Sequence, residues 1–336
     1  MRLGVHLSVS GALKNAPERG LTIGCQSLQI FCANPRGWSK KPLDQDEVQQ
    51  FHSSVQRAGI DPVVVHATYL INLAAPDPEM YKLSVESFLE ELRRSAQLGA
   101  KFYVVHSGSH KGTGEEGGRK RIREALKRAA NEIDPKNCPH ILIENTAGTA
   151  NSLGNKFEEL AMLLEGDPHP NNGVCMDTCH ALAAGYEIRT PEGLAQTMAR
   201  IDKTIGFARL KCLHINDSKG DLGSCLDRHE HIGQGTIGIE GFRNFFLAKK
   251  LWGLPGILET PQDNPDDDRK DLWRIIELAV EAGAVDRRML ERMPTAELEA
   301  VPPKKPAGVE TTKSLKRKSI LKKVSQKAKA IRRAKR

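Results

Sequence analysis

The sequence predicts a single (β/α)8 barrel followed by a basic tail, and three observations indicate this. Eight short apolar runs alternate with segments of helical periodicity between residue 2 and about residue 283. Strands that alternate with helices in this way are usually parallel and joined by crossovers. The length suits a barrel of about 250 residues. Finally, six successive strands end in a side chain that can bind a metal ion. Strand counting alone leaves an open doubly wound sheet as the alternative.

The predicted strands are short apolar runs. In chain order they are LGVHLS, LQIFCAN, PVVVHATY, FYVVHSGS, HILIENTA, GVCMDTCH, LKCLHIND and GILETP. One glycine-rich stretch, KGTGEEGGRKR, lacks the lysine and hydroxyl residue that end a phosphate-binding loop, so we expect a surface loop there.

Between the strands, apolar residues recur at helical spacing. Such patterns run up to Gly99, Gly166 and Gly283, and glycine commonly ends a helix. Thr190 followed by Pro191 has the N-cap and first-turn chemistry of a helix start. These segments supply the crossovers that a parallel sheet requires.

The residues that end the third to eighth strands are all imidazoles or carboxylates. They lie 33–45 residues apart, about one βα unit each, and are His66, His106, Glu144, Asp177, His214 and Glu259. Buried without partners, such groups would cost several kcal/mol, so they require a common partner. In an open sheet with strands about 4.8 Å apart, the six ends would spread over more than about 20 Å. A closed barrel instead turns them toward one mouth, where barrel enzymes have their sites.

Three further residues extend this set. His180 follows Asp177 by three positions, where the chain leaves the strand. Asp227 and His229 lie in the polar loop DRHEHIGQGTIG, two positions apart, so in extended backbone they point the same way. Nine ligands are too many for one tetrahedral ion. They suit about three ions with three or four ligands each, especially if one carboxylate bridges two ions.

The composition describes a soluble globular protein, with 39% hydrophobic and 27% charged residues. No stretch approaches the roughly 18 apolar residues that a membrane span needs. The seven cysteines include no CxxC pair, which argues against a disulfide framework and for a reducing compartment. Within VCMDTCH, we expect Cys175 and Cys179 to be structural, and Asp177 and His180 to be functional.

We divide the chain into a barrel over residues 1–285, a linker over 286–303 and a Lys/Arg-rich tail over 304–336. Residues 303–336 contain 14 Lys or Arg and one acid, a net charge of +13. Since the whole chain carries +8, residues 1–302 carry −5. Blocks of like charge are usually disordered alone, so we expect a disordered tail.

Several of these stretches together resemble the endonuclease IV family of abasic-site endonucleases. The matching segments, in order from residue 4 to residue 260, are GVHLSVSGAL, HATYLINLA, HSGSH, ENTAG, DTCHALAAGY, HIND, DRHEHIG and LET. The resemblance implies a TIM barrel with a trinuclear zinc site. It further implies a hydrolase that cuts DNA on the 5′ side of an abasic residue, leaving a 3′-hydroxyl and a 5′-deoxyribose phosphate. One departure is Ser107, where the family commonly has proline.

The resemblance also assigns roles by position. It implies three zinc ions, with Glu144 as the bridging and catalytic carboxylate. The implied ligand sets are His66, His106 and Glu144; Glu144 again with Asp177, His214 and Glu259; and His180, Asp227 and His229. The third set, with two imidazoles and one carboxylate, also suits manganese or iron.

The implied partner is double-stranded DNA that contains abasic sites. By resemblance, Arg36, Tyr69 and Leu70 contact the DNA and fill the space that the extruded nucleotide leaves. Packing at the strand–helix junction is the alternative for Tyr69 and Leu70. We interpret the tail as an electrostatic anchor for DNA phosphates, with a solubility or nuclear-import segment as the alternative. We expect a monomeric, nucleoid-associated cytoplasmic protein without membrane contact, or a nuclear one.

Two other functions compete with this interpretation. Related barrels that isomerise or epimerise sugars bind divalent metals at the same mouth, but they usually need one or two ions and a lysine or paired carboxylates for proton transfer. An architectural DNA-binding protein that acts through its tail would leave the nine ligands without a purpose. The number of ligands therefore favours the nuclease.

Overall fold

The structure is a computed structural model that describes residues 1–292 apart from residues 135, 168 and 170. The predicted tail over 304–336, and its predicted disorder, lie outside the described residues. Residues 287–292 form a 3₁₀ helix, and the side chain of Met289 within it is buried and accepts a hydrogen bond from Gln26 Nε2.

Eight parallel strands close into a barrel, as the sequence predicts. The ten strands of the described chain are β1 (Arg2–His6), β2 (Ser27–Phe31), β3 (Val63–His66), β4 (Phe102–His106), β5 (His140–Glu144), β6 (Gly173–Asp177), β7 (Leu210–His214), β8 (Asp217–Ser218), β9 (His229–Glu230) and β10 (Pro255–Leu258). The barrel order is β1-β2-β3-β4-β5-β6-β7-β10, and β10 pairs with β1 to close it. Strands β8 and β9 form a separate antiparallel pair.

Nine helices accompany the strands in the described part of the chain. They are α1 (Asn15–Ile23), α2 (Gln45–Ala58), α3 (Pro78–Gln97), α4 (Glu115–Glu132), α5 (Phe157–Leu163), α6 (Thr178–Ala183), α7 (Pro191–Thr204), α8 (Gly238–Phe245) and α9 (Asp267–Ala282). None of the described helices has the length and apolar character of a membrane span.

Residues predicted to begin or end helices do so at α7 and α9. The Thr190 side chain caps α7 by accepting a hydrogen bond from the Gly193 N–H at 3.1 Å. Gly283 follows α9 with φ of 83°, a left-handed conformation that glycine adopts readily. The prediction for KGTGEEGGRKR was wrong in part: α4 begins at Glu115, because two acids at its N-terminus favour helix there despite the glycines.

The core has two parts, because successive residues of each strand point alternately toward the helices and toward the barrel interior. The larger cluster lies between the barrel and its helices and includes Trp273. The smaller cluster fills the barrel interior and consists of Val64, Phe102, Val104, Leu142, Cys175, Cys212 and Ile257. Cys175 thus lies one layer below Asp177, as expected for residues two apart on one strand.

Closure of the barrel requires a glycine where β1 meets β2. A Cβ atom at Gly4 would lie 1.8 Å from the carbonyl oxygen of Ser27. The two strands could not keep their pairing around any larger side chain. β1 pairs with β10 on one side and with β2 on the other. Inward-pointing side chains at the ends of β2 and β10 therefore lie near each other inside the barrel.

Candidate metal centre

The carboxyl ends of the strands bring all nine predicted ligands to one rim of the barrel. Their side-chain donor atoms form three groups, in each of which the atoms lie within 4.8 Å of one another. The groups are His66, His106 and Glu144; Glu144, Asp177, His214 and Glu259; and His180, Asp227 and His229. These groups have the same membership as the sets that the family resemblance implies.

Glu144 lies at the centre of the cluster and is fully buried. One oxygen, Oε2, is 3.2 Å from His66 Nε2 and 3.3 Å from His106 Nε2. The other, Oε1, is 3.0 Å from His214 Nδ1 and 3.3 Å from His180 Nδ1. A single carboxylate therefore contacts imidazoles from all three groups, which suits it to bridge two ions.

The remaining contacts lie within the second and third groups, and one of them joins the two groups. His214 Nδ1 is 3.3 Å from Glu259 Oε2. His229 Nε2 is 3.5 Å from Asp177 Oδ2, and His180 Nε2 is 3.1 Å from Asp227 Oδ1. The Nε2 atoms of His180 and His229 are buried, and although a carboxylate oxygen lies near each, neither makes a well-directed hydrogen bond within the described residues. A buried polar atom without a partner is costly, and a cation between these groups would supply one.

Four of the histidines are oriented as metal ligands usually are. In each, the second ring nitrogen faces a carbonyl oxygen that can accept its proton. His66 Nδ1 is 2.7 Å from Ala67 O, and His180 Nδ1 is 2.9 Å from Asn145 O. His229 Nδ1 is 2.8 Å from Glu259 O. The fourth, His214, faces the side-chain oxygen of Gln29 rather than the backbone.

The electrostatics of the cluster keep the central carboxylate of Glu144 ionised. Burial would raise the pKa of Glu144, but the charges of His106 and His214 and hydrogen bonds from His180 and His214 hold it well below its usual range. Burial would lower the pKa of His214, but Glu259 and Glu144 raise it to about 10. Without metal, a proton on His214 therefore balances part of the buried negative charge, and a metal ion can replace that proton.

Cys179 also lies near the cluster, with its sulfur within reach of Asp177 and His229. Burial raises the pKa of its thiol to about 12. The sulfur lies 3.6 Å from the carbonyl oxygen of Arg228 and can donate to it. The thiol thus has a backbone partner of its own, which agrees with a structural role.

Polar side chains beneath the cluster were missed in the sequence analysis. Asn216 is fully buried, donates to Asp177 Oδ2 at 2.6 Å and accepts from the Glu259 N–H at 2.7 Å. Asn145 accepts from the Asp177 N–H at 2.6 Å. Both asparagines follow a ligand closely along the chain, in ENTA and HIND, and that position was the available signal.

A cavity of about 1070 Å³ opens above the cluster. Its lining includes His106, Asp227 and His229 from the ligand groups, together with Arg36 and Tyr69. Tyr69 has 68% of its surface exposed, and its ring contacts Phe31 edge-on at 5.1 Å between centroids.

Of the three predicted DNA contacts, two thus lie on the cavity wall. The third, Leu70, is half-buried next to Tyr69 and is not among the described residues that line the cavity. Its position leaves the packing alternative open for this residue.

One buried carboxylate anchors the two loops that carry these exposed side chains. Glu91 on α3 forms an ion pair of 3.2 Å with Lys40, and both side chains are at most 3% exposed. It also accepts hydrogen bonds from Thr68 N and Oγ1, at 3.1 and 2.7 Å. Since Lys40 follows Arg36 by four residues and Thr68 precedes Tyr69, Glu91 fixes both loops to the same helix.

The fold and the site together define a class: parallel eight-stranded barrels that gather imidazoles and carboxylates at the carboxyl rim. The family model for the xylose isomerase-like TIM barrel matches residues 18–278. A probable endonuclease 4 of Chloroflexus aurantiacus is 47% identical over 273 residues, which cover 81% of this chain and 95% of the relative. The chain belongs to the endonuclease IV family, as its motifs predict.

Two solved structures share this fold, and one of them is an endonuclease IV. Endonuclease IV from Thermus thermophilus superposes with a TM-score of 0.74 at 37% identity, covering 84% of this chain and all of that one. A D-tagatose 3-epimerase-like protein has a TM-score of 0.63 at 22% identity, covering 84% of this chain and 99% of that one. The second likeness concerns the fold alone.

Proposed function

We propose that this chain is a metal-dependent DNA-repair endonuclease that hydrolyses the phosphodiester on the 5′ side of abasic sites in duplex DNA. The products are a 3′-hydroxyl and a 5′-deoxyribose phosphate. The observation that carries the proposal is the convergence of nine ligand side chains, in three groups that meet around Glu144, beneath a cavity with Arg36 and Tyr69 on its wall. Family membership supports the same reaction.

The donor set fits three divalent ions, and zinc is the proposed metal because every donor is an imidazole or a carboxylate. The group with His180, Asp227 and His229 also suits manganese. When bound, such ions lower the pKa of water and neutralise charge on a phosphate.

The side chains of this protein have separate tasks in the proposed reaction. Glu144 joins the ligand groups through its two oxygens and fixes their separation. Arg36 and Tyr69 on the cavity wall contact the DNA around the extruded nucleotide. Extrusion costs a few kcal/mol and costs least where the base is already absent, so the need to extrude favours damaged sites.

The proposal is tested on a labelled duplex with one synthetic abasic site, with and without a chelator. We expect a single cut 5′ to the site, lost on chelation and restored by zinc. A DNA polymerase should extend the upstream fragment, because it ends in a 3′-hydroxyl. An intact duplex of the same sequence is the control. Cleavage that resists chelation, or a fragment that cannot be extended, contradicts the proposal.

A sugar isomerase or epimerase is the second candidate, and the number of ligands argues against it. Such enzymes usually need one or two ions, whereas nine side chains in three groups converge at this rim. Sugar turnover without strand cleavage would favour this candidate, and DNA binding without either reaction would favour an architectural role.

Replacing Arg36 with alanine is expected to weaken binding of abasic duplex by about tenfold or more. Hydrogen bonds to charged groups contribute about 1.5–3 kcal/mol, and Arg36 is exposed on the cavity wall. Titration of labelled duplex measures the affinity, and elemental analysis checks that metal content is unchanged. Arg57→Ala, at an exposed arginine on α2, is the matched control. Equal losses in both variants would exclude a local role for Arg36.

Truncation after residue 302 is expected to make DNA binding less sensitive to salt. Each phosphate contacted contributes about −0.9 to the slope of log affinity against log salt, so a tail that contacts five phosphates contributes about −4.5. The slope is measured for full-length and truncated chains on the same duplex. Single-turnover cleavage at saturating protein should be equal for both. An unchanged slope contradicts the anchoring role.

A further inference from the structure

Gln29 is a polar residue in the barrel interior that the metal ligands do not include. It lies on β2 and is fully buried. A buried amide is costly unless both its N–H groups and its oxygen find partners. The described side-chain hydrogen bonds of Gln29 go to His6, His214 and Glu259. Two of these three partners, His214 and Glu259, belong to the same ligand group.

The orientation of the amide follows from its contact with Glu259. Gln29 Nε2 lies 2.6 Å from Glu259 Oε1, and only the NH₂ end of an amide can approach a carboxylate so closely. The second N–H then points to His6 Nδ1 at 3.0 Å. The oxygen of the amide is left to face His214 Nε2 at 2.9 Å, where it can only accept.

This orientation selects one nitrogen of His214. Because Gln29 Oε1 accepts, His214 Nε2 must carry a proton and donate. His214 Nδ1 is therefore the nitrogen that points into the cluster, 3.0 Å from Glu144 Oε1 and 3.3 Å from Glu259 Oε2. Gln29 holds Glu259 at the same time, so one side chain orients two members of the same ligand group.

We propose that Gln29 is a positioning residue for one metal subsite, the group of Glu144, Asp177, His214 and Glu259. It fixes the tautomer of His214 and the rotation of the Glu259 carboxylate, and it thereby sets the affinity of that subsite for a divalent ion. The inference rests on the proposed metal-dependent function. Because Gln29 makes no described hydrogen bond to ligands of the third group, its effect should be confined to one subsite.

The test is zinc affinity of the full-length chain, measured by competition with a chromophoric chelator. Gln29→Met has a similar length but neither donates nor accepts. We expect one of the tightly bound zinc ions to bind about 10–100-fold more weakly, the usual cost of losing such a partner, while the others keep their affinity. Ser27→Ala is the matched control, since Ser27 is also buried on β2 but bonds only backbone oxygens.

A second measurement needs no variant. Proton–nitrogen correlation spectra of the zinc-loaded wild-type protein should show His214 protonated at Nε2 and coordinated through Nδ1. Coordination through Nε2 overturns the proposal, as does a Gln29→Met protein that melts at lower temperature but retains every zinc affinity. If the wild-type chain binds no zinc at all, the proposed function fails instead, so the two failures are distinguishable.

Discussion

Glu144→Gln is expected to reduce cleavage of abasic duplex by at least about 100-fold while the barrel stays folded. Loss of a residue that only orients a metal ligand already costs about 10–100-fold, and Glu144 belongs to two of the proposed ligand groups. The substitution preserves shape but removes the negative charge that four imidazoles share. It also turns an amide NH₂ group toward ring nitrogens that need an acceptor or a cation.

The experiment compares single-turnover cleavage, zinc content and circular dichroism of Glu144→Gln with those of the wild type. Glu192→Gln, at an exposed carboxylate in the first turn of α7, is the matched control and should behave as wild type. A Glu144→Gln protein with normal zinc content and near-normal cleavage would falsify the bridging role. A protein that loses zinc and activity together, with the helical signal intact, supports it.

Much of the ligand cluster could be predicted because the strand period ties position in sequence to position in space. Strands of a barrel end at one rim, so residues at successive strand ends, such as His66 and His106, must converge. Asp227 and His229 were harder to predict, because neither lies on a barrel strand. Asp227 lies in the loop before β9, and His229 lies on β9, which pairs with β8 outside the barrel. Only their spacing and the family motif indicated them.

The supporting residues could not be predicted from the same rules. In the sequence, Gln29 is one polar residue in the apolar run LQIF. Its contact with Glu259 requires that β2 and the end of β10 lie close on either side of β1, and the absence of a side chain at Gly4 permits this. Glu91 reads as an exposed helix residue, yet it is fully buried against Lys40 and Thr68. Both roles depend on tertiary contacts between segments 23–230 residues apart.

The metal-free protein is expected to lose thermal stability as the pH rises from about 6.5 to about 10. Burial opposes protonation of His214, but the carboxylates of Glu259 and Glu144 raise its pKa from 6.5 to about 10 in the folded state. A raised folded-state pKa means that the stabilisation is complete below the unfolded value and is lost as pH passes the folded value. The pKa of Glu259 is held well below 4.5, against burial, chiefly by His214, so its contribution is lost only in acid.

Zinc should remove most of this alkaline loss, because it competes with protons for the same nitrogens and binds more tightly as they deprotonate. The melting temperature is therefore measured with zinc and with chelator across this pH range. We expect the difference between the two curves to grow with pH by at least about 2–4 °C, which corresponds to about 1 kcal/mol in a domain of this size. His214→Asn should flatten the curve of the metal-free protein. Parallel curves for the zinc-loaded and chelated forms would mean that the imidazoles of the rim exchange no protons for metal, and the cluster would then be a buried ion network rather than a metal centre.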